Sequence, residues 1–167
     1  SGGLLECGPV LGQVALGLGR IPLEEQHGSK PPLLQLQAEF LHEGLGSLSL
    51  WKNFPQRLCA AAGCRGLVYS RPGYGRSTPR PAAEKWPVDF MHAQVSEVLP
   101  AFLHAVGVDT ASDPPWLVGH SDGASIALIH AAAFPERVSG VIALAQHVFV
   151  EDVSIESIER TRETYIA

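Results

Sequence analysis

Ser121 stands in the stretch Gly-His-Ser-Asp-Gly at residues 119–123, a spacing that can serve nucleophilic chemistry. The apolar run Trp-Leu-Val-Gly before it predicts a strand, and Ala-Ser-Ile-Ala-Leu-Ile-His after it predicts a helix. A serine on such a turn presents its hydroxyl beyond the edge of a sheet, with the positive end of the helix dipole behind it. Gly119 and Gly123 would let the strand and the helix approach closely. The pattern therefore predicts a serine nucleophile beside a site that can hold an oxyanion.

Strands and helices alternate along the chain around this serine. Apolar or alternating runs predict strands at 33–41, 66–70, 116–119 and 138–145, and helical patterns cover 51–63, 89–107, 122–134 and 152–165. This alternation is typical of a mostly parallel sheet with helices on both faces, which is an α/β three-layer sandwich. Sheets of this kind place their sites at the carboxyl ends of the strands.

Local signals set the ends of the first two helices. Asn53 can act as the N-cap of the first helix, Pro55 is tolerated in its first turn, and Gly63 ends it. Pro100 predicts a bend in the second helix, and Gly107 predicts its end.

Two segments fit this pattern poorly. Residues 1–32 have no clear periodicity, apart from an edge strand that could lie within 11–25. In the strand at 33–41, polar side chains stand where a central parallel strand is normally apolar on both faces; these are Gln35, Gln37 and Glu39. We therefore expect this strand to differ from the usual one in such a sheet.

Four stretches together resemble the α/β-hydrolase fold family of serine hydrolases. They are FLHEGLGS from Phe40, LVYSRPGYGRS from Leu67, LVGHSDGASIALIHAA from Leu117 and ALAQHVFVEDVSIESI from Ala143. The resemblance covers roughly residues 40–166 and implies a partial α/β-hydrolase fold. The loop at 70–77 is interpreted as a structural turn, in which Ser70 replaces an Asp that is frequent in the family. His120 is interpreted as a packing or supporting residue.

The resemblance also implies an oxyanion hole made of two backbone N–H groups. One belongs to Asp122, the residue after the nucleophile. The other belongs to the loop His-Glu-Gly-Leu-Gly, with Gly44 as the expected donor and Glu43 and Leu45 as alternatives. Relatives often carry Gly at the position of Glu43. If the Glu43 side chain points inward, its charge would disfavour anionic substrates.

An activated serine needs a base, and the base needs an orienting acid. In this family both follow the serine, in the order Ser, Asp or Glu, His. His130 falls in the middle of a helix and His147 follows the next strand, so neither matches the base, and Asp152 is an alternative acid in a less common placement. Apart from His120, the other histidines also precede Ser121; they are His27, His42, His92 and His104. The sequence thus predicts the N-terminal part of a hydrolase, with acid and base beyond residue 167, that could be inactive by itself.

Composition excludes several other classes. The 167 residues include 12 Lys and Arg against 17 Asp and Glu without a basic run, which argues against nucleic-acid binding. No apolar run approaches the roughly 18 residues that a membrane span needs. Cys7, Cys59 and Cys64 are odd in number and lack zinc-site spacing, so they predict free thiols in a reducing, cytoplasmic compartment. Neither a cofactor nor a metal is implied.

The predicted function is that of a serine hydrolase acting on a small ester or related acyl substrate, with this small molecule as its partner. A carbon–carbon bond hydrolase of the same fold and a non-catalytic α/β-hydrolase-like protein are the alternatives. The predicted organisation is a poorly patterned segment at 1–32, an incomplete α/β-hydrolase core at 33–150 and the start of a helical lid at 151–167.

Overall fold

The sheet is the centre of the fold. A computed structural model describes residues 14–17, 36–81 and 83–166. Its strands are β1 (Val14–Gly17), β2 (Gln37–Leu41), β3 (Arg65–Tyr69), β4 (Trp116–His120) and β5 (Gly140–Leu144). Their order is β1-β3-β2-β4-β5, with β1 antiparallel to β3 and the other neighbours parallel. The predicted α/β class with a mostly parallel sheet is confirmed.

The helices follow the predicted alternation. They are α1 (Phe54–Ala62), α2 (Phe90–Ala93), α3 (Leu99–Ala105), α4 (Asp122–Ala133) and α5 (Asp152–Ile166). Two short 3-10 turns accompany them at Leu48–Trp51 and Pro135–Arg137. Strand β1 lies within 11–25, where the sequence allows an edge strand, and it is at one edge of the described sheet. Cys7, His27 and the first residues of the strand predicted at 33–41 lie outside the described residues.

Alternation along the strands divides the core between the two faces of the sheet. On one face, buried leucines pack against α3 and α4; they are Leu41, Leu67 and Leu117, which meet Phe102 and Ile126. On the other face, Phe40 and Val118 pack against Trp51 and Leu58. The molecule therefore has the three layers that the sequence predicts.

Helix α1 closes as its sequence suggests. Asn53 is at the N-cap position, although its side chain makes no capping hydrogen bond. Gly63 ends the helix with φ 65°, a conformation that favours glycine. Its N–H and that of Cys64 both donate to the Cys59 carbonyl. Cys59 and Cys64 are free thiols.

The helical segment predicted at 89–107 is interrupted earlier than expected. Between α2 and α3 it forms a π-helical turn at Gln94–Val98, directly before Pro100. Proline has no N–H to donate, and its ring would clash with the carbonyl four residues earlier in a regular helix. A wider turn at this point removes that clash. The prediction of a simple bend at Pro100 is corrected in this respect.

The polar strand β2 contains a buried glutamate, Glu39. The strand lies in the middle of the sheet, between β3 and β4, so its polar residues stand in a central parallel strand, and its difference from the usual strand stays a prediction. The Glu39 side chain is fully buried, and Gln37 Nε2 donates to its Oε1 at 2.6 Å. Burial raises the pKa of Glu39 to about 8, against the smaller opposing effects of Gln37 and the Arg65 charge. A carboxyl in this position is mostly protonated at neutral pH, which avoids a buried negative charge.

Apolar side chains remain exposed at the β5 edge and on α5. Ile142 and Leu144 on β5 and Val153 and Ile158 on α5 are exposed. A parallel edge strand with apolar side chains is a surface that normally becomes covered. Among the described residues, no helix combines the length and apolar character needed to cross a membrane.

Candidate active site

Ser121 occupies a strained turn between β4 and α4. Its backbone angles are φ 53° and ψ −118°, a conformation that residues with a side chain rarely adopt. The Ser121 N–H donates to the Leu144 carbonyl of β5 at 2.9 Å. Its own carbonyl accepts from the N–H groups of Ala124 and Ser125 at 2.9 and 3.1 Å, which starts α4. The serine is thus fixed at the carboxyl end of the sheet, at the N-terminus of a helix.

The two flanking glycines provide the space for this turn. A Cβ on Gly119 would collide with the Gly123 carbonyl and with the backbone of Ala124. A Cβ on Gly123 would collide with the Leu41 carbonyl at the end of β2. Backbone atoms cannot move aside as a flexible side chain can, so both positions require glycine here. The role predicted for Gly119 and Gly123 from their spacing agrees with this geometry.

The loop after β2 brings Gly44 to the same turn. A Cβ on Gly44 would meet the Asp122 carboxylate, so the loop backbone lies directly beside the residue that follows Ser121. Asp122 is the first residue of α4, and an N–H in the first turn of a helix has no acceptor within that helix. The structure therefore brings Ser121, Gly44 and Asp122 together.

His42 and Arg71 hold this loop in place. The Arg71 N–H donates to His42 Nε2 at 3.0 Å, and His42 Nδ1 is 2.7 Å from the Glu43 carbonyl, to which it donates in the matching tautomer. The Arg71 Nη2 donates to the carbonyls of Glu43 and His42 at 2.9 and 3.3 Å. Burial, together with the Arg71 charge, lowers the pKa of His42 to about 4, so the ring is neutral at pH 7. Because both ring nitrogens are occupied, His42 acts as a support of the loop.

The Arg71 guanidinium is buried beneath the candidate site. Its side chain is 1% exposed, and its Nη2 is 4.0 Å from Asp122 Oδ2. The guanidinium also lies over the Tyr74 ring, 4.8 Å from the ring centroid. A buried charge needs partners of this kind, because desolvation alone would be costly. Arg71 therefore links the loop after β3 to both the Gly44 loop and the start of α4.

Ser70 takes over a structural role next to Arg71. Its Oγ accepts a hydrogen bond from the Leu48 N–H at 3.1 Å, and its carbonyl accepts one from the Ser77 hydroxyl. Turn hydrogen bonds from Tyr74 N–H to the Arg71 carbonyl and from Ser77 N–H to the Tyr74 carbonyl close the loop. This geometry agrees with the interpretation of 70–77 as a structural turn.

Of the two histidines after Ser121, His130 has its ring hydrogen-bonded elsewhere, whereas His147 is hydrogen-bonded only through its backbone carbonyl. His130 is buried in α4, with Nδ1 3.3 Å from the Val95 carbonyl. Burial lowers its pKa, which favours the neutral ring. The His147 carbonyl accepts from the Ser125 hydroxyl at 3.2 Å. Within the described part of the chain, no histidine is hydrogen-bonded to the Ser121 hydroxyl, and the alternative acid Asp152 is exposed at the start of α5.

A cleft opens next to the serine turn, on the α1 face of the sheet. Its volume is about 200 Å³, and its lining consists of His42, Glu43, Leu50, Trp51, Phe54 and His120. Glu43 Oε2 lies 3.2 Å from His120 Nδ1. His120 thus lines the cleft and contacts Glu43, which is compatible with the packing or supporting role expected for it, and the Glu43 side chain points into the cleft.

The family model for the alpha/beta hydrolase fold matches residues 40–164, which is most of the chain. This chain belongs to the α/β-hydrolase fold family. The matched range contains the Ser121 turn, the Gly44 loop and the Arg71 loop. No curated protein sequence matches the chain.

Solved α/β-hydrolase structures share this architecture at low sequence identity. A carboxylesterase from the thaumarchaeon Nitrososphaera gargenis matches 99% of this chain and 53% of its own, with a TM-score of 0.65 and 19% identity. A thioesterase domain from the curacin biosynthetic pathway matches 96% and 51%, with a TM-score of 0.58 and 21% identity. A monoacylglycerol lipase from Paleococcus ferrophilus matches 74% and 45%, with a TM-score of 0.54 and 16% identity. The chain spans about half the length of these structures, and the likeness shows the fold alone.

Sequence reasoning misses two features of this α/β-hydrolase site. One is Arg71, which the motif at 70–77 contains but which reads there as an ordinary turn residue. The other is the pairing of Glu43 with His120, two residues that are far apart in the chain. A usable signal exists for the second feature. Both residues follow or end neighbouring parallel strands, β2 and β4, whose carboxyl ends meet at the same edge.

Proposed function

We propose that this chain carries the nucleophile and the oxyanion hole of a serine hydrolase that acts on a small ester or related acyl substrate. The observation that supports it most strongly is the backbone of Ser121, at φ 53° and ψ −118° between two glycines that tolerate no Cβ. Strain of this kind persists only where surrounding structure enforces it, and it is typical of functional turns. Family membership supports the same reaction class.

In the proposed reaction, Ser121 Oγ attacks the carbonyl carbon of the ester. Its proton passes to a base, the carbonyl carbon becomes tetrahedral, and the electron pair of the broken C=O π bond leaves a negative charge on the carbonyl oxygen. Backbone N–H groups of Gly44 and Asp122 would donate to that oxygen, at the N-terminus of α4 where the helix dipole favours negative charge. The alcohol then leaves with a proton, and water releases the acid from the serine by the same route.

The base and the acid of this hydrolase are assigned to sequence beyond residue 167, as the family resemblance implies. The histidines near the site support this assignment, because His42 is used by the loop and His130 is bound to Val95. The free thiols of Cys59 and Cys64 are consistent with the cytoplasmic location that we propose. The partner in this proposal is the small-molecule substrate.

Labelling with a fluorophosphonate tests the proposal. The natural protein, purified with whatever sequence flanks residues 1–167, should be labelled on the peptide that contains Ser121. Ser121→Ala should remove the label, and Ser125→Ala, which changes a nearby serine in α4, should keep it. Absence of labelling, or labelling that persists in Ser121→Ala, contradicts the assignment. Labelling of residues 1–167 alone would mean that the base lies within this chain and would overturn its assignment elsewhere.

A further inference from the structure

The cleft beside Ser121 has an aromatic wall. Trp51 and Phe54 stack with 5.7 Å between their ring centroids and an interplanar angle of 18°. The His120 ring meets Trp51 edge-on at 6.4 Å, and Phe40 supports the pair from below with edge contacts to both rings. Phe54 remains 41% exposed, so it can still contact a ligand. Aromatic faces carry partial negative charge and attract cations.

The lining of the cleft also includes a carboxylate. Glu43 is the one carboxylate among the residues that line it, and no lysine or arginine of the described chain does so. The carboxylate is held in position, since Oε2 is 3.2 Å from His120 Nδ1 and Oε1 lies against Gly46, where a Cβ would meet it. Gly46 therefore leaves room for the acid to face the cleft.

Neither His42 nor Arg71 places a positive charge in the cleft, and His120, whose Nδ1 is 3.2 Å from Glu43 Oε2, would offset the Glu43 charge only when protonated. The pKa of His42 is lowered to about 4 by burial and by the Arg71 charge, so His42 contributes no positive charge at pH 7. The Arg71 guanidinium is buried, and its Nη2 is directed at the loop carbonyls and at Asp122. Asp122 adds a second, partly exposed carboxylate on the serine side.

We propose that this cleft binds a small organic ammonium group of the substrate, between the Glu43 carboxylate and the rings of Trp51 and Phe54. A trialkylammonium head suits a cleft of about 200 Å³, because its methyl groups contact the rings and its charge faces the acid. An anionic group would meet Glu43 and is disfavoured there. The link to catalysis depends on the proposed hydrolase function, because the cleft adjoins Ser121 through His120. Binding of the cation itself does not depend on that function.

Calorimetric titration of the protein with choline tests this inference. The comparison ligands are dimethylbutanol, in which carbon replaces the ammonium nitrogen, and dimethylbutanoate, which is an anion of similar shape. Choline should bind about tenfold more tightly than dimethylbutanol, the ratio expected for one desolvated cation–π contact assisted by a carboxylate. Dimethylbutanoate should bind most weakly of the three.

Two variants and one control show which residues produce the preference for choline over dimethylbutanol. Glu43→Gln keeps the shape of the side chain and should reduce the preference for choline over dimethylbutanol to the part that the rings contribute. Phe54→Leu keeps an apolar wall and should weaken choline more than dimethylbutanol. Glu97→Gln removes a charge from an exposed position in the π-helical turn and should change neither affinity. Circular dichroism of each variant checks that the fold is retained.

The outcomes separate this inference from the hydrolase proposal. Equal affinities, tighter binding of dimethylbutanol, or no detectable binding of choline would each overturn the ammonium site. A preference for choline that is unchanged in Glu43→Gln would also overturn it. If choline is preferred but fluorophosphonate labels no serine, the ammonium site is supported and the hydrolase function fails. If labelling occurs at Ser121 without any preference for choline, the hydrolase function is supported and the ammonium site fails.

Discussion

Replacing Glu39 with Gln tests whether the central strand β2 carries a protonated carboxyl. The side chain is fully buried, and burial raises its pKa to about 8 from an ordinary value of 4.5. The amide of Gln has the shape of a protonated carboxyl and does not ionise. Gln37 and Arg65 remain available as polar neighbours.

The direction in which pH changes stability follows from the number of protons that the folded and unfolded chains bind. Between pH 4.5 and 8 the unfolded chain has released the Glu39 proton while the folded chain retains it. The free energy of unfolding therefore falls as pH rises through this window and levels off above it. A shift of one pKa unit corresponds to about 1.4 kcal/mol. The free energy of unfolding of Glu39→Gln, relative to that of the wild type, should therefore rise by about 4 kcal/mol from pH 5 to pH 8.5.

The pH dependence of the wild type must be compared with that of the variant, because His42 also titrates differently in the folded and unfolded chains. Its pKa is lowered to about 4, so its own effect is a rise in stability with pH between about 4 and 6.5. This opposes the Glu39 effect in the wild-type curve, and it cancels when the variant is subtracted. The assay is urea unfolding followed by circular dichroism at half-unit pH steps, with Glu97→Gln as the exposed control. A difference curve that is flat to within about 1 kcal/mol would refute the reasoning, because Glu39 would then be ionised in the folded state.

Two further predictions concern the serine turn, both measured by urea unfolding. Ser121→Gly should stabilise the fold by about 1 kcal/mol, because glycine adopts φ 53° without strain. The control is Ser157→Gly in the exposed helix α5, which should destabilise the fold by about 1 kcal/mol. Destabilisation by Ser121→Gly would contradict the strain. Gly123→Ala should cost about 3 kcal/mol, because its Cβ meets the Leu41 carbonyl. Gly63→Ala, with φ 65° but open space, should cost about 1 kcal/mol, and equal losses at the two positions would argue against the collision.

Much of the sheet could be predicted from the chain, because the strongest patterns are local. The strand before Ser121, the helix after it and the Gly63 end of α1 each depend on a few adjacent residues. The π-helical turn before Pro100 was out of reach, since the pattern of apolar residues is nearly the same in both helix types. The neutral state of Glu39 could not be predicted from the sequence, because it depends on the burial of the side chain in the folded sheet.

The candidate site was predictable only where it follows a motif. Ser121, Gly44 and Asp122 come from such motifs, and the structure brings them together. The contacts of Arg71 with the Gly44 loop span residues 28 and 29 apart in sequence, so no local pattern records them. The Glu43–His120 pair likewise depends on which strands become neighbours.

The hydrogen bond from Ser121 N–H to the Leu144 carbonyl has a consequence for local stability. Strand β5 is the last strand of the described sheet, and terminal elements of a fold open more readily than central ones. When β5 detaches, the hydrogen bond between the Ser121 N–H and the Leu144 carbonyl is lost, and this bond helps to hold the φ angle of Ser121. The conformation of Ser121 therefore depends in part on the attachment of β5, and any partner or segment that covers this strand also protects the Ser121 amide from hydrogen exchange.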